Sequence, residues 1–361
     1  MKIHMFIPDI TDIILLVLFC LVGLAILTYL WMILSRLPRT IKHEQGKSCD
    51  LNKDACPPVS VIICANDQQN DLIKHLPAVL EQQYSEFEVI VVLDADSEDS
   101  SADVLRQMEQ KYDNLYHTFI PAGSLYLSRR KLAVTLGIKA SRYDWLVFIE
   151  PDCVPASPLW LSRLSEGMYA GKDVVIGAVF CNVNDDTAQK WQKHLAKLWC
   201  RRNLQIMGWA LAGKPFSAMG RNLAYRKSTF LQSGGFSNQL RLSRGEDSLY
   251  INKIANISNT SVVCHPDAFT YVTPCRSKRE WSQELKDFRK VVSYLKGSPV
   301  FMIKAYRFSW AMFILLAVIV VAYSFVTYQI VPVLLAVILC LINGLFRYRI
   351  YKHLRTISIK S

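Results

Sequence analysis

Three long apolar runs interrupt an otherwise mixed sequence. The first, 13–34, is 22 residues long and carries no charge, and the other two, 308–326 and 330–346, are separated by three residues. Because about 20 apolar residues cross a bilayer as a helix, the pattern predicts one transmembrane helix near the N-terminus and a transmembrane hairpin near the C-terminus. The alternatives are a signal peptide for the first run and a buried or re-entrant hairpin for the other two.

Basic residues gather beside these runs. The net charge is +12, and the stretches 35–42, 276–307 and 347–361 together hold 17 Lys and Arg against three acids. Positive residues mark the cytoplasmic side of membrane proteins, so the pattern predicts a multi-pass protein whose central region and C-terminus face the cytosol. It argues against a nucleic-acid partner, because the charge follows the membrane flanks. None of the ten cysteines forms a CxxC pair, which suits a reducing cytosol.

Between the apolar runs, β-branched segments alternate with amphipathic ones. The predicted strands are 59–64, 87–93, 117–120 and 145–149, and the predicted helices are 71–83, 101–112 and 130–140. Strands that alternate with helices of this length predict an α/β fold, a mostly parallel sheet with helices on both faces.

The same patterns predict the boundaries of the parts. Residues 276–307 place Trp281, Leu285 and Phe288 among basic residues, which is typical of an amphipathic helix on a membrane surface. The predicted parts are an N-terminal segment, 1–12; a transmembrane helix, 13–34; a linker, 35–57; a cytosolic α/β domain, 58–275; an amphipathic interfacial segment, 276–307; a transmembrane hairpin, 308–346; and a basic cytosolic tail, 347–361.

Carboxylates follow two of the predicted strands. Asp94 and Asp96 come after the second strand, and Glu150 and Asp152 come after a later one. Ligands of parallel sheets bind outside the carboxyl ends of the strands, so these acids are expected to share one crevice. Their mutual repulsion would be relieved by a divalent cation. A helix cap or turn is the alternative for the first pair, and an ordinary strand end for the second.

Six segments in order resemble one known family. They are VSVIICAND, VIVVLDADSEDSS, RRKLAVTLGIKAS, WLVFIEPDCVP, GRNLAYRKSTFLQSGGF and RGEDSLYINKI. Together they are similar to inverting family 2 glycosyltransferases of the GT-A fold, in particular to the membrane-anchored branch found in Bacteroides-type bacteria. The resemblance covers roughly residues 55–300 and implies a Rossmann-like GT-A domain beside transmembrane helices.

The resemblance implies a nucleotide-diphosphate sugar, expected to be a UDP-sugar, as donor. Ala65, Asp94 and Asp96 match positions at the nucleoside, and Lys131 matches a basic residue near the diphosphate. The sequence contains neither GxGxxG nor a Walker loop in its sheet, so metal and side chains would have to hold the phosphates. Without the resemblance, Lys131 is an ordinary solvated helix residue.

The resemblance also implies a metal and a base. Glu150-Pro151-Asp152 matches the DxD motif, so Asp152, with Glu150, would bind Mg²⁺ or Mn²⁺. Glu246-Asp247 matches the ED motif, in which Asp247 would take the proton of the acceptor hydroxyl as general base. The alternative for this last pair is a plain acidic helix N-terminus.

The expected acceptor residues lie in two places. Gly220, Arg221 and Asn222 belong to a loop before the base, and Trp281 belongs to the interfacial segment. A turn without a ligand is the alternative for the loop.

Three departures from the family pattern bear on these expectations: Glu150 replaces an Asp, Asn66-Asp67 replaces Arg or Tyr followed by Asn, and 283–287 (QELKD) replaces Q-x-x-R followed by Trp. The last departure puts a processive mode in doubt.

The sequence therefore predicts a glycosyltransferase in the bacterial inner membrane. It would transfer a sugar to a lipid-linked or growing glycan acceptor, in surface polysaccharide synthesis. One alternative is a polyprenyl-phosphate or ceramide-type lipid glycosyltransferase. The alternative from another class is a catalytically inactive glycosyltransferase-like subunit that recruits partners to the membrane.

Overall fold

The computed structural model describes residues 10–47, 56–94, 96–121, 128–181, 189–237, 245–273, 277–327 and 330–359. Residues 1–9 of the predicted N-terminal segment, 1–12, and residues 48–55 of the predicted linker, 35–57, lie outside the described residues.

Helices with long apolar stretches lie at both ends of the described chain. α1 (Ile10–Tyr29) continues through a π-helical turn, Leu30–Leu34, into α2 (Arg36–Glu44). Near the other end are α11 (Ser298–Val326) and α12 (Val331–Ile359). By length and composition, three stretches of the described residues could cross a membrane: Ile13–Glu44, Ser298–Val326 and Val331–His353.

Some predicted boundaries differ from the structure. Residues 36–44 form a helix rather than a linker, because Leu37 and Ile41, four residues apart, bury one face. α11 begins at Ser298, ahead of the predicted hairpin. α12 continues through the predicted basic tail to Ile359, since the tail contains neither Gly nor Pro.

The central domain packs directly on the first of these helices. α7 (Lys190–Leu211) crosses the π-helical turn so closely that a Cβ added to Gly208 would stand 2.5 Å from the carbonyl oxygen of Ile33. Trp209 donates a hydrogen bond to the Tyr29 hydroxyl at 3.2 Å. The Tyr29 ring stacks on Tyr306 of α11, with 4.3 Å between centroids. One aromatic cluster therefore joins α1, α7 and α11.

A mixed sheet forms the core of the central domain. In the described residues its order is β3-β2-β1-β4-β8-β6-β9. The strands are β1 (Val59–Ala65), β2 (Phe87–Asp94), β3 (Leu115–Ile120), β4 (Trp145–Phe148), β6 (Val174–Gly177), β8 (Leu223–Arg226) and β9 (Thr260–Val263). β8 runs antiparallel to β4 and β6, and the other neighbours are parallel. The mostly parallel sheet predicted from the sequence is confirmed.

A small second sheet, β5-β10-β7, lies after the carboxyl end of β4. Its strands are β5 (Cys153–Pro155), β7 (Val179–Cys181) and β10 (Thr270–Val272). The remaining helices are α3 (Gln69–Leu80), α4 (Ser101–Glu109), α5 (Arg129–Ala140), α6 (Trp160–Ser165), α8 (Lys227–Gln232), α9 (Glu246–Ile254) and α10 (Lys278–Tyr294). Predicted elements between 59 and 149 all occur, with ends shifted by a few residues.

α5 packs tightly on the parallel strands. It lies against β1, β2 and β3, and Gly137 faces the sheet. A Cβ added there would stand 2.6 Å from Ile62 Cγ2 and 3.3 Å from Val92 Cγ2. This close approach fixes the start of α5, which carries two arginines of the candidate site.

Gly137→Ala is expected to lower the melting temperature of the detergent-solubilised protein. The new methyl group must push Ile62 or α5 aside, at a cost of about 1–3 kcal/mol. Gly46→Ala is the control, because nothing lies within 4 Å of a Cβ at that position. Circular dichroism melts measure both variants. Equal melting temperatures would show that α5 does not need this close contact.

Candidate functional site

The carboxyl ends of β1, β2 and β4 open into one large cavity. It has a volume of about 900 Å³, and Ala65, Asp94, Glu150 and Asp152 line it. The acids predicted to share a crevice therefore do so, with the exception of Asp96, whose side chain is 54% exposed at the edge. The far wall of the cavity comes from α10, including Glu284.

Arg129 binds the acids after β2. Its Nε donates to Asp94 Oδ2 at 2.6 Å, and its Nη1 lies 2.7 Å from Asp96 Oδ2. The hydrogen bonds from Arg129 lower the pKa of Asp94 below its usual value. Both acids are therefore already paired with Arg129, and together they form a fixed acidic edge beside the cavity.

Arg130, the next residue of α5, bridges two acids from different parts of the chain. Its Nη2 donates to Glu150 Oε1 at 2.7 Å, and its Nε donates to Glu246 Oε1. The other carboxylate oxygen of Glu246 is buried and has no hydrogen-bond partner among the described residues. Arg130 thus ties the start of α9 to the end of β4.

Lys131, which was expected to lie near the diphosphate, does not line the large cavity. Its side chain is buried, and burial lowers its pKa. Arg129 and Arg130, the two residues before it, line the cavity instead. Sequence reasoning missed both, although the run Arg129-Arg130-Lys131 at the start of a helix was the available signal.

Arg221 binds the DxD-like acids. Its Nη2 lies 3.0 Å from both Glu150 Oε2 and Asp152 Oδ2, and its Nη1 donates to Glu284 Oε1 at 3.4 Å. The guanidinium stacks on Trp199, 4.9 Å from the ring centroid. Burial raises the pKa of Asp152, but the Arg221 guanidinium outweighs it and holds this pKa below its usual value.

Glu150 and Asp152 fit a divalent cation of a particular kind. Mg²⁺ binds through one or two carboxylates and completes its coordination with substrate phosphates and water. Both of these carboxylates line the cavity, and no cluster of three or more His, Cys, Asp or Glu side chains that could hold a metal ion occurs among the described residues. The donor set therefore suits a metal that shares its ligands with a diphosphate. Arg221 contacts oxygens of the same two carboxylates, so its guanidinium would have to move away before a cation could bind them.

Asp247 lies in the first turn of α9, after Gly245 in a left-handed conformation with φ of 93°. Its carboxylate packs against the backbone of Gly220, where any added Cβ would overlap it. Burial, and then the neighbouring Glu246, raise the pKa of Asp247 to about 7. A carboxylate with this pKa is suited to act as a general base near neutral pH.

Gly220, Arg221 and Asp247 line a smaller cavity of about 90 Å³. Arg130, Glu150 and Arg221 line both this cavity and the large one, so the two adjoin. The structure thus brings the residues after β4, those before β8 and the first turn of α9 to one place.

Two expected acceptor residues lie away from this junction. The Asn222 amide is buried, donates to the carbonyls of Ala178 and Ala268 at 2.9 and 2.8 Å, and accepts from Trp160 Nε1 at 3.1 Å. These bonds use the amide to join the two sheets, so we leave Asn222 out of the proposed site. Trp281 lines a third cavity, beside the candidate membrane-spanning helices α11 and α12.

Residues 60–230 match the family model described as Glycosyl transferase family 2. The chain is 30% identical over 188 residues to Glycosyltransferase AglE of Haloferax volcanii, across 51% of this chain and 57% of that protein. The chain thus spans little more than half the length of this relative. Its fold is similar to the mannosyltransferase PcManGT of Pyrobaculum calidifontis in complex with GDP-Man and Mn²⁺, with a TM-score of 0.56, 17% identity, and coverage of 96% and 95% of the two chains.

Residues 60–230 therefore resemble a family 2 glycosyltransferase domain, and the fold is that of a GT-A glycosyltransferase. The predicted GT-A fold class is confirmed, and so is the prediction that the chain carries a glycosyltransferase domain. The Bacteroides-type branch stays a prediction.

Gly220→Ala is expected to reduce turnover with little change in donor binding. The added methyl group displaces the Asp247 carboxylate, and a positioned base contributes about 10²–10⁴-fold to a rate. Nucleotide release and nucleotide affinity, measured on the same preparation, separate the two effects. Gly46→Ala serves as the control. Unchanged turnover in Gly220→Ala would show that the place of this carboxylate is unimportant.

Proposed function

We propose that the protein is an inverting glycosyltransferase that moves a sugar from a nucleotide-diphosphate sugar to an acceptor at the membrane. The adjoining cavities carry this proposal. The larger one combines a fixed acidic edge with four arginines and the Glu150–Asp152 pair, and the smaller one contains a carboxylate whose pKa is near neutral. This pairing of a charged donor-sized cavity with a base is what single-displacement glycosyl transfer requires.

The proposed donor occupies the 900 Å³ cavity. Its nucleoside would lie at Ala65 and Asp94, with Asp96 at the edge of the cavity. Its diphosphate would lie near Arg130 and Arg221, since guanidinium groups bind phosphate oxygens in a bidentate manner. We expect a UDP-sugar. The GDP-Man in the PcManGT structure makes GDP-sugars the first competitor to test.

Glu150 and Asp152 would hold Mg²⁺ or Mn²⁺. When bound, this cation would neutralise the negative charge that develops on the departing nucleotide. Asp247 accepts the proton of the acceptor hydroxyl as the oxygen attacks the anomeric carbon from the face opposite the leaving group, which inverts the configuration. Arg130 pairs with Glu246 beside it and fixes α9 relative to β4. Arg221 releases the two DxD-like acids and keeps Glu284 as a partner.

We propose a multi-pass protein of the bacterial inner membrane, and the three candidate spans support its membrane association. We propose that the central domain faces the cytosol, because basic residues flank the spans on its side. The acceptor would be a lipid-linked or growing glycan in surface polysaccharide synthesis. A polyprenyl-phosphate or ceramide-type acceptor is the second candidate, favoured by the cavity beside the membrane helices.

Asp152→Asn and Asp247→Asn are each expected to lower donor turnover. The first loses a metal ligand, and the second loses the base, worth about 10²–10⁴-fold. The measurement is nucleotide release from a panel of UDP- and GDP-sugars, with Mg²⁺ or Mn²⁺ and membrane lipid extract as acceptor. Asp103→Asn is the matched control, because Asp103 is exposed on α4 and pairs only weakly at the surface with Arg106.

Each outcome of this experiment is informative. Release that needs Asp152, Asp247 and metal supports the proposal and names the donor. Release that needs Asp152 alone points to a phosphate acceptor, which requires no strong base. Metal-dependent nucleotide binding without release from any donor would favour the inactive recruitment subunit.

The pH dependence of turnover is expected to follow Asp247. Because its pKa in the folded protein is about 7, the rate should rise tenfold per pH unit below that value and level off above it. The same raised pKa makes the ionised side chain destabilising, so its cost is absent in acid and complete above pH 7. Asp247→Asn should therefore melt higher than the wild type at pH 8 and equally at acidic pH. A flat pH–rate profile would contradict the assignment of the base.

A further inference from the structure

A third cavity lies between the central domain and the membrane helices. It has a volume of about 360 Å³ and is enclosed by α7, α10, α11 and α12. Its wall is mostly aromatic and aliphatic, including Leu198, Trp281, Leu285 and Trp310. The proposed reaction at Asp247 does not use this space.

Arginines are the principal charged groups of the third cavity. Its described lining contains Arg201, Arg202, Arg307 and Arg347, against a single acid, Glu284. That acid already interacts with Arg221. The lining of this apolar space therefore carries more positive than negative charge.

Arg202 is the most enclosed of these cations. Its guanidinium lies 4.0 Å from the centroid of the Phe288 ring and 5.7 Å from that of Trp199. Its Nε is buried and has no hydrogen-bond partner within the described ranges. Burial, and then the like charge of Arg221, lower its pKa to about 10, so it stays protonated at pH 7. Coulombic attraction to Glu284, Asp247 and Glu150 offsets part of the cost of burying this cation, and an anionic ligand hydrogen-bonded to the guanidinium would offset more.

The third cavity adjoins the candidate base. Trp199, Arg202, Glu284 and Phe288 line both this cavity and the one that contains Asp247. A group bound at Arg202 therefore lies beside the place where the acceptor hydroxyl has to meet the base.

The third cavity also lies at the level where the candidate spans end. Arg307 comes directly before the apolar run of α11, and Arg347 directly after that of α12. Arginines at these positions keep their charges at the membrane surface while their stems contact apolar groups. An occupant of this cavity thus reaches the apolar layer at one end and Asp247 at the other.

We infer that the third cavity binds the phosphate or diphosphate headgroup of a long-chain membrane lipid, which carries the acceptor to Asp247, and that Arg202 contacts the phosphoryl oxygens. The apolar walls would hold the first part of the lipid chain. The remaining arginines would balance the rest of the negative charge on the headgroup. This inference rests on the proposed glycosyl transfer and specifies its acceptor class.

The test measures lipid binding with Arg202→Met, which keeps an apolar stem of similar length. Purified full-length protein in neutral detergent is titrated with decaprenyl phosphate, with decaprenol as the uncharged probe, while tryptophan fluorescence is recorded. Decaprenyl phosphate should bind the variant at least tenfold more weakly, since a hydrogen bond to a charged group is worth about 1.5–3 kcal/mol. Lys197→Met, an exposed cation of α7 outside the cavity, is the control and should bind as wild type does.

Several results would overturn the inference. One is equal affinity for decaprenyl phosphate and decaprenol in the wild type. Another is equal weakening of both probes by Arg202→Met, which indicates a structural role. Equal competition by inorganic phosphate or phosphatidylglycerol would indicate a general anion or lipid site.

Donor turnover with membrane lipid extract, followed in the same preparations, keeps this inference separate from the proposed function. Turnover without specific lipid-phosphate binding defeats the inference alone. Specific lipid-phosphate binding without donor binding or turnover defeats the proposed function alone.

Discussion

The Glu150 carboxylate is shared by two arginines, and the candidate site is organised around this shared charge. Oε1 accepts from Arg130 and Oε2 lies 3.0 Å from Arg221. Arg130 extends the network to Glu246, and Arg221 extends it to Asp152 and Glu284. The end of β4, the start of α5, the loop before β8, α9 and α10 are thereby held together. Buried ions of this kind need every partner, because loss of one leaves another uncompensated.

Much of the fold follows from local pattern. The runs at 59–64 and 87–93 are β-branched and continuous, and the structure places strands there with ends that differ by one residue. Once parallel pairing is granted, the convergence of Asp94, Glu150 and Asp152 follows from the geometry of strand ends. The helical residues 36–44 show the opposite case. Their apolar face is buried because α7 packs on it, and the sequence alone does not indicate that α7 is the partner.

The partners of the acids were beyond sequence reasoning. Arg130 and Glu246 are 116 residues apart, and nothing in either segment identifies the other. Asn222 lies in a family-like motif and so attracted an acceptor role, yet its amide joins carbonyls of two distant segments. Motifs indicate which positions are constrained, but not whether the constraint is chemical or structural. Trp199 and Glu284 were missed for a related reason, since they become part of the site only when α7 and α10 pack beside it.

The close contact of Gly208 with the π-helical turn has a mechanical consequence. In the proposed membrane enzyme, this backbone contact would hold the central domain at one height above the bilayer, whereas a flexible tether would allow many heights. Asp247 would then lie at a fixed distance from the bilayer. An acceptor would react only when its terminal group lies at the same distance. The terminal group of a much longer glycan would lie farther from the bilayer than Asp247. Such a geometry favours the first sugars added next to a lipid over the extension of long chains.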